Sequence, residues 1–168
     1  MIEYMALRPT TVSDQELIGN LLAASYPILM REAYPDDVLQ QALPAMTRAN
    51  LELLSSDTFY MVEEANGQAV GCGGWTLERP GTGQVEKGLA HVRHFATHPA
   101  FTGNGIGRTI FQHCAEQARM AGVARFECYS SLNAEGFYAS LGFVSVEQFD
   151  VQMGPTLNFS AVRMMCAL

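Results

Sequence analysis

The chain is short of charge, and above all of positive charge. Only 16% of its 168 residues are charged, and 10 Lys and Arg stand against 17 Asp and Glu, which gives a formal net charge of −7. A general nucleic-acid surface needs a basic face, so this balance argues against a nucleic-acid partner. The sequence contains no run of 18 apolar residues, which predicts no membrane-spanning helix and no membrane partner.

Cysteine is also scarce. The four cysteines, at positions 72, 114, 128 and 166, form no Cys-x-x-Cys pair and lie in apolar segments. This pattern predicts reduced, buried thiols and no metal site. The N-terminal residues show neither the basic nor the apolar region of a signal peptide. We therefore expect a cytoplasmic protein whose residues 1–168 form one domain, long enough to bury a core.

The most informative segment is a glycine-rich junction between a predicted strand, 89–97, and a predicted helix that ends near 121. Gly103, Gly105 and Gly107 lie within five residues at this junction. The free N–H groups and dipole of the first helical turn favour a phosphate or pyrophosphate. The pattern is neither a Walker A loop, since no lysine follows Gly107, nor a G-x-G-x-x-G fingerprint. A tight turn without a ligand is the alternative interpretation.

A second segment changes the interpretation of the first. Asn133 and the run Phe137-Tyr138-Ala139-Ser140-Leu141-Gly142-Phe143 follow a predicted strand over 124–129. Together with the glycine loop from Thr102 to Gly107, this resembles the GNAT superfamily of acyl-CoA-dependent N-acyltransferases. Leu7-Arg8-Pro9-Thr10 and Arg163-Met164 also look like that family's first and last strands, so the resemblance spans the chain. Thr102 departs from it, because the family usually has Arg or Gln there.

The resemblance implies the α+β GNAT fold, with a mixed, mostly antiparallel central sheet of about seven strands flanked by about four helices. The order of segments in the sequence agrees. A strand precedes two helical regions, a hairpin over Asn66-Gly67 follows, and strands and helices then alternate before two final strands.

The same resemblance implies acetyl-CoA as the cosubstrate. The strand before the glycine loop should offer its backbone to the pantetheine arm, and the loop should hold the pyrophosphate through its backbone N–H groups. The residues expected to contact the cosubstrate are Phe95, Ala96, Thr97, Thr102, Gly103, Asn104, Gly105, Ile106, Gly107, Arg108, Asn133 and Tyr138.

Two residues are candidates for proton transfer. The family places a tyrosine beside the thioester sulfur, so Tyr138, with a phenol pKa of about 10, is the candidate acid for the departing thiolate. Aromatic packing is the alternative role. His91, with an unperturbed pKa of about 6.5, is the candidate base, and an ordered water is the alternative base. Strand alternation predicts that His91, Arg93 and Phe95 share one face, while Val92 and His94 point the other way.

The predicted function is an N-acetyltransferase that moves an acetyl group from acetyl-CoA to the primary amine of a small molecule or peptide. Two alternatives are a non-catalytic acyl-CoA-binding or sensing module on the same fold and a plain nucleotide-binding protein. The sequence is compatible with a homodimer. In this fold the acceptor would be lined by Ser25-Tyr26-Pro27, Met30-Arg31-Glu32, Tyr34, Trp75 and Gly154-Pro155-Thr156, although core packing is an alternative for the aromatic members.

Overall fold

The computed structural model describes residues 5–168, and these residues build a seven-stranded sheet. The strands are β1 Ala6–Pro9, β2 Phe59–Glu63, β3 Ala69–Thr76, β4 Leu89–Thr97, β5 Arg125–Ser131, β6 Val144–Met153 and β7 Leu157–Ala167. Their order in the sheet is β1-β2-β3-β4-β5-β7-β6. Every neighbouring pair is antiparallel except β4 and β5. The predicted α+β class and the mixed, mostly antiparallel sheet are therefore confirmed.

The described residues form five α-helices, where about four were predicted. They are α1 Gln15–Leu29, α2 Asp36–Met46, α3 Leu51–Leu54, α4 Ile106–Met120 and α5 Glu135–Ser140. The additional helix, α3, is one turn long and is capped by Asn50, whose side-chain oxygen accepts a hydrogen bond from the Leu53 N–H. No helix in the described part of the chain is long and apolar enough to cross a membrane.

The helices bury the two faces of the sheet separately. Helices α1 and α3 pack with Phe59 and Met61 on one face, and α4 packs with Val70 and Trp75 on the other. Trp75 therefore belongs to the core. All four cysteines are buried and free of disulfides, as their apolar surroundings predicted.

A bulge in β4 changes the direction of its side chains. The β3–β4 register pairs Cys72 with Ala96 and Gly74 with Arg93, so β4 holds one residue more than β3 in this interval. His94 lies in the bulge with a φ of +47°. Beyond it, Ala96 joins the α1 side of the sheet, and Phe95 packs against α5.

The prediction that Phe95 shares a face with His91 and Arg93 is therefore wrong, whereas His91 and Arg93, which precede the bulge, lie on one face as predicted. An inserted residue reverses the alternation of every side chain that follows it.

Strands β4 and β5 separate partway along their length. Their parallel pairing runs from Leu89 and Arg125 to His91 and Glu127, and β5 continues to pair with β7 as far as Ser131. Within the described strands, residues 92–97 of β4 thus pair on the β3 side only. The result is an open wedge in the middle of the sheet.

Candidate active site

The first cavity opens from this wedge and has a volume of about 460 Å³. It is bounded by the end of β4, the glycine loop, the first turn of α4 and the residues around α5. All of the residues predicted to contact the cosubstrate line it except Asn104. The Asn104 side chain instead donates to the Phe101 carbonyl at 2.9 Å and so supports the loop from within.

The three glycines of the loop have two different functions. Gly103 and Gly105 have φ values of +79° and +77°, and a Cβ at either would meet no described atom within 4 Å. They permit a left-handed backbone beside open space. Gly107 is different, because a Cβ there would lie 2.8 Å from Cζ of Phe137. Gly107 therefore sets how closely α4 approaches α5.

The first cavity suits a ligand that carries amides and a pyrophosphate. The wedge leaves one edge of β4 unpaired over residues 92–97, and this edge can pair with the amides of an extended ligand. At the other end, the 15-residue helix α4 begins at Ile106, with Gly105 as its N-cap, beside the cavity and beside Arg108. The N–H groups of a first helical turn and a nearby guanidinium favour an anion. Among the described residues, no cluster of His, Cys, Asp and Glu could hold a metal ion.

A second cavity, of about 270 Å³, lies on the α1–α2 side of the same wedge. Three methionines and an aromatic ring supply much of its apolar wall. These are Met30, Met46, Met153 and Phe159. Five residues border both cavities, which locates the junction between them. These are Tyr26, Phe95, Ser131, Ala134 and Tyr138.

Tyr138 lies at this junction and is only 6% exposed. Its ring packs edge-on against Phe137 and Phe143, with centroid distances of 5.1 and 5.4 Å. Burial raises the pKa of its phenol well above the usual value, and the neighbouring Cys128 adds to this effect. The hydroxyl therefore holds its proton at neutral pH, in a position fixed by the surrounding rings.

His91 lies deeper, at the point where β4 and β5 separate. It is 2% exposed, and its Nδ1 lies 3.1 Å from Oε1 of Glu127, within ion-pair distance but without the angle of a hydrogen bond. Burial lowers the pKa of His91. Arg79 and Arg93 act in the same direction, and Glu127 opposes them. His91 is consequently neutral at physiological pH.

Glu127 is a buried carboxylate that sequence reasoning missed. It is 1% exposed, accepts a 2.7 Å hydrogen bond from Nε of Arg163, and has Nε of Arg79 at 3.7 Å. Burial opposes its ionisation, but Arg163, Arg79 and His91 together outweigh burial and lower its pKa. The signal in the sequence was an acidic residue in the otherwise apolar run Phe126-Glu127-Cys128.

His94 was also missed, because alternation predicted that it points away from His91. The bulge instead brings it to the second cavity, which it lines together with His91 and Arg93. Its carbonyl accepts a hydrogen bond from Sγ of Cys72 at 3.3 Å. Burial lowers the pKa of the His94 imidazole to about 4, and Arg93 adds to this effect.

Only part of the expected acceptor lining reaches the second cavity. Tyr26 and Met30 line it, and the Tyr26 hydroxyl donates to the Phe95 carbonyl at 3.2 Å. Ser25 lines the first cavity and donates to the Thr97 carbonyl. Tyr34 has a structural role, since its hydroxyl donates to the Ser160 carbonyl and accepts from the Leu132 N–H. The expected residues that line neither cavity are Pro27, Arg31, Glu32, Tyr34, Trp75 and Gly154-Pro155-Thr156.

A family model described as an acetyltransferase (GNAT) domain matches residues 12–160, and the chain therefore belongs to the GNAT acetyltransferase family. The acyl donor of this family is acetyl-CoA. No curated protein matches the sequence significantly.

Solved structures share the fold at low sequence identity. A GCN5-related N-acetyltransferase from Rhodopseudomonas palustris aligns with a TM-score of 0.77 and 18% identity, over 97% of this chain and 95% of the other. The PaiA N-acetyltransferase from Thermoplasma acidophilum, solved with coenzyme A, gives 0.71 and 15%, over 98% and 99%. The ribosomal-protein-S18-alanine N-acetyltransferase from Escherichia coli gives 0.63 and 16%, over 97% and 93%.

Proposed function

We propose that the protein is an N-acetyltransferase that transfers an acetyl group from acetyl-CoA to the primary amine of a small molecule or peptide. The observation that carries this proposal is the meeting of two cavities at Tyr138. One cavity ends at the glycine loop, and the other is lined by imidazoles and apolar side chains. The four free, buried cysteines support a location in the reducing cytoplasm.

The donor would occupy the first cavity, with its pyrophosphate at the glycine loop and its amide-bearing arm along the free edge of β4. Backbone groups supply most of these contacts, so Thr102 can replace the usual Arg or Gln at the cost of a side-chain contact only. The Tyr26 hydroxyl, bonded to the Phe95 carbonyl, and the Ser25 hydroxyl, bonded to the Thr97 carbonyl, hold the end of β4 in place. A fixed strand edge positions the reacting carbonyl without reorganisation.

Transfer requires a proton to leave the amine and a proton to reach the thiolate. We assign the second proton to Tyr138, because it borders both cavities and its hydroxyl is protonated at neutral pH. His91 and an ordered water are candidates for the first. The contact of His91 with Glu127 holds the imidazole at the base of the wedge.

Thiol release from acetyl-CoA, measured across a panel of alkyl amines, amino acids and short peptides, tests the proposal. We expect release that depends on the amine, together with an acetylated product of the matching mass. Reactions without amine measure simple hydrolysis and serve as the control. If acetyl-CoA raises the melting temperature but no amine supports release, the chain is an acyl-CoA-binding module and the proposal is wrong.

A further inference from the structure

We propose that the imidazole of His94, carried on the β4 bulge, takes the proton from the attacking amine. The inference rests on the proposed function, since it concerns the same reaction. It assigns the removal of the amine proton to His94 rather than to His91. The two histidines differ in their positions on β4, in backbone conformation and in hydrogen bonding.

The backbone at His94 has a left-handed conformation, which is unfavourable for residues other than glycine. Its φ is +47°, a value that glycine adopts readily and other residues adopt rarely. Two residues of β3 support the bulge. Sγ of Cys72 donates a hydrogen bond to the His94 carbonyl, and the absence of a side chain at Gly73 makes room for the Phe95 ring. Bulges of this kind redirect a side chain, and strained residues of this kind occur at active sites.

His94 lies beside the cavity in which the amine would bind. His94 lines the second cavity with Tyr26, Phe95 and Tyr138, three of the residues that border both cavities. Among the described residues, its ring nitrogens form no hydrogen bond, whereas Nδ1 of His91 lies against a buried carboxylate. Burial lowers the pKa of His94 to about 4, so its ring is unprotonated at physiological pH and is a weak base.

The proposed step balances in atoms and charge. The amine nitrogen bonds to the thioester carbonyl carbon, and the carbon–sulfur bond then breaks. The proton on nitrogen moves to a ring nitrogen of His94, and the thiolate takes the proton of the Tyr138 hydroxyl. His94 then returns its proton, and Tyr138 regains one, through solvent. The nitrogen becomes far more acidic as its new bond forms, so a weakly basic imidazole suffices at that stage.

His94→Gly is the informative variant, because glycine is the residue that a positive φ favours, and the fold should survive. We expect kcat/KM for the amine to fall on the order of 10²-fold. The affinity for acetyl-CoA should not change, and free imidazole should restore part of the rate with saturation. His113→Asn is the matched control, since His113 packs on Tyr60, does not line either cavity and should keep wild-type turnover.

The outcomes distinguish a failure of the inference from a failure of the proposed function on which it rests. Wild-type turnover in His94→Gly overturns the inference while leaving the acetyltransferase intact. A loss that free imidazole does not restore assigns His94 a structural role and overturns it as well. If the wild-type protein acetylates no amine, the proposed function itself fails, and the inference fails with it.

Discussion

Replacing Gly107 by alanine should disturb α5, because this glycine sets the distance between α4 and α5. A Cβ there would lie 2.8 and 2.9 Å from Cζ and Cε1 of Phe137. Carbon atoms in contact need about 3.5–4.0 Å, so the ring must move by roughly 1 Å. Overpacking of this kind costs about 1–3 kcal/mol, and the better helix propensity of alanine returns about 1 kcal/mol. We expect a net loss of about 0–2 kcal/mol in the free energy of unfolding.

Gly19→Ala provides the matched control. Gly19 lies within α1, and a Cβ there would meet no described atom within 4 Å, so this variant should gain about 1 kcal/mol. Urea unfolding measures the free energy of unfolding of both variants, which can be compared when their m-values are equal. Phe137→Leu removes the two ring atoms that Cβ would touch, so the double variant with Gly107→Ala should lose less stability than the sum of its parts.

The reasoning fails if Gly107→Ala stabilises the protein as much as Gly19→Ala does. It also fails if the two changes at 107 and 137 are strictly additive. Either result would show that Gly107 does not set the distance between α4 and α5.

Two further predictions concern Tyr138 and the half-buried imidazole of His94. Tyr138→Phe should lower kcat on the order of 10²-fold with little change in the KM for acetyl-CoA, since the proton transfer that it removes occurs only in the transition state. Steady-state kinetics measure both constants, and a turnover near that of the wild type would exclude the acid role. The pKa of His94 falls from 6.5 to about 4 on folding, so the unfolded chain binds the proton more readily. The contribution of this shift to the free energy of unfolding is therefore fully present above pH 6.5 and should fall by about 3 kcal/mol as the pH drops to 4. Urea unfolding between pH 7 and 4 should show this fall in the free energy of unfolding in the wild type and a smaller fall in His94→Gly. An equal fall in both proteins would contradict the lowered pKa of His94.

The parts of the site that depend on local backbone chemistry could be predicted from the sequence. The glycines at 103 and 105 occur where a left-handed turn opens a helix, and the structure gives both a positive φ beside open space. Strand β4 also has its predicted bounds, 89–97. These features depend on neighbouring residues only, so a short motif is sufficient to indicate them.

The bulge and the buried acid could not be predicted in the same way. Whether β4 holds an extra residue is decided by its pairing with β3, where Gly73 leaves space for the Phe95 ring. Alternation along a strand carries no information about such an insertion. Glu127 depends on Arg163, which is 36 positions away on β7, so its role emerges only when the two strands pair.

The central claim is that this chain moves an acetyl group rather than only binding its carrier. The most direct measurement is a single-turnover reaction with protein in excess over acetyl-labelled acetyl-CoA, an amine identified by thiol release, and an acid quench. We expect label on the amine and free thiol in equal amounts, both formed more slowly in Tyr138→Phe. Label that stays on the thioester while acetyl-CoA is fully bound would contradict the account.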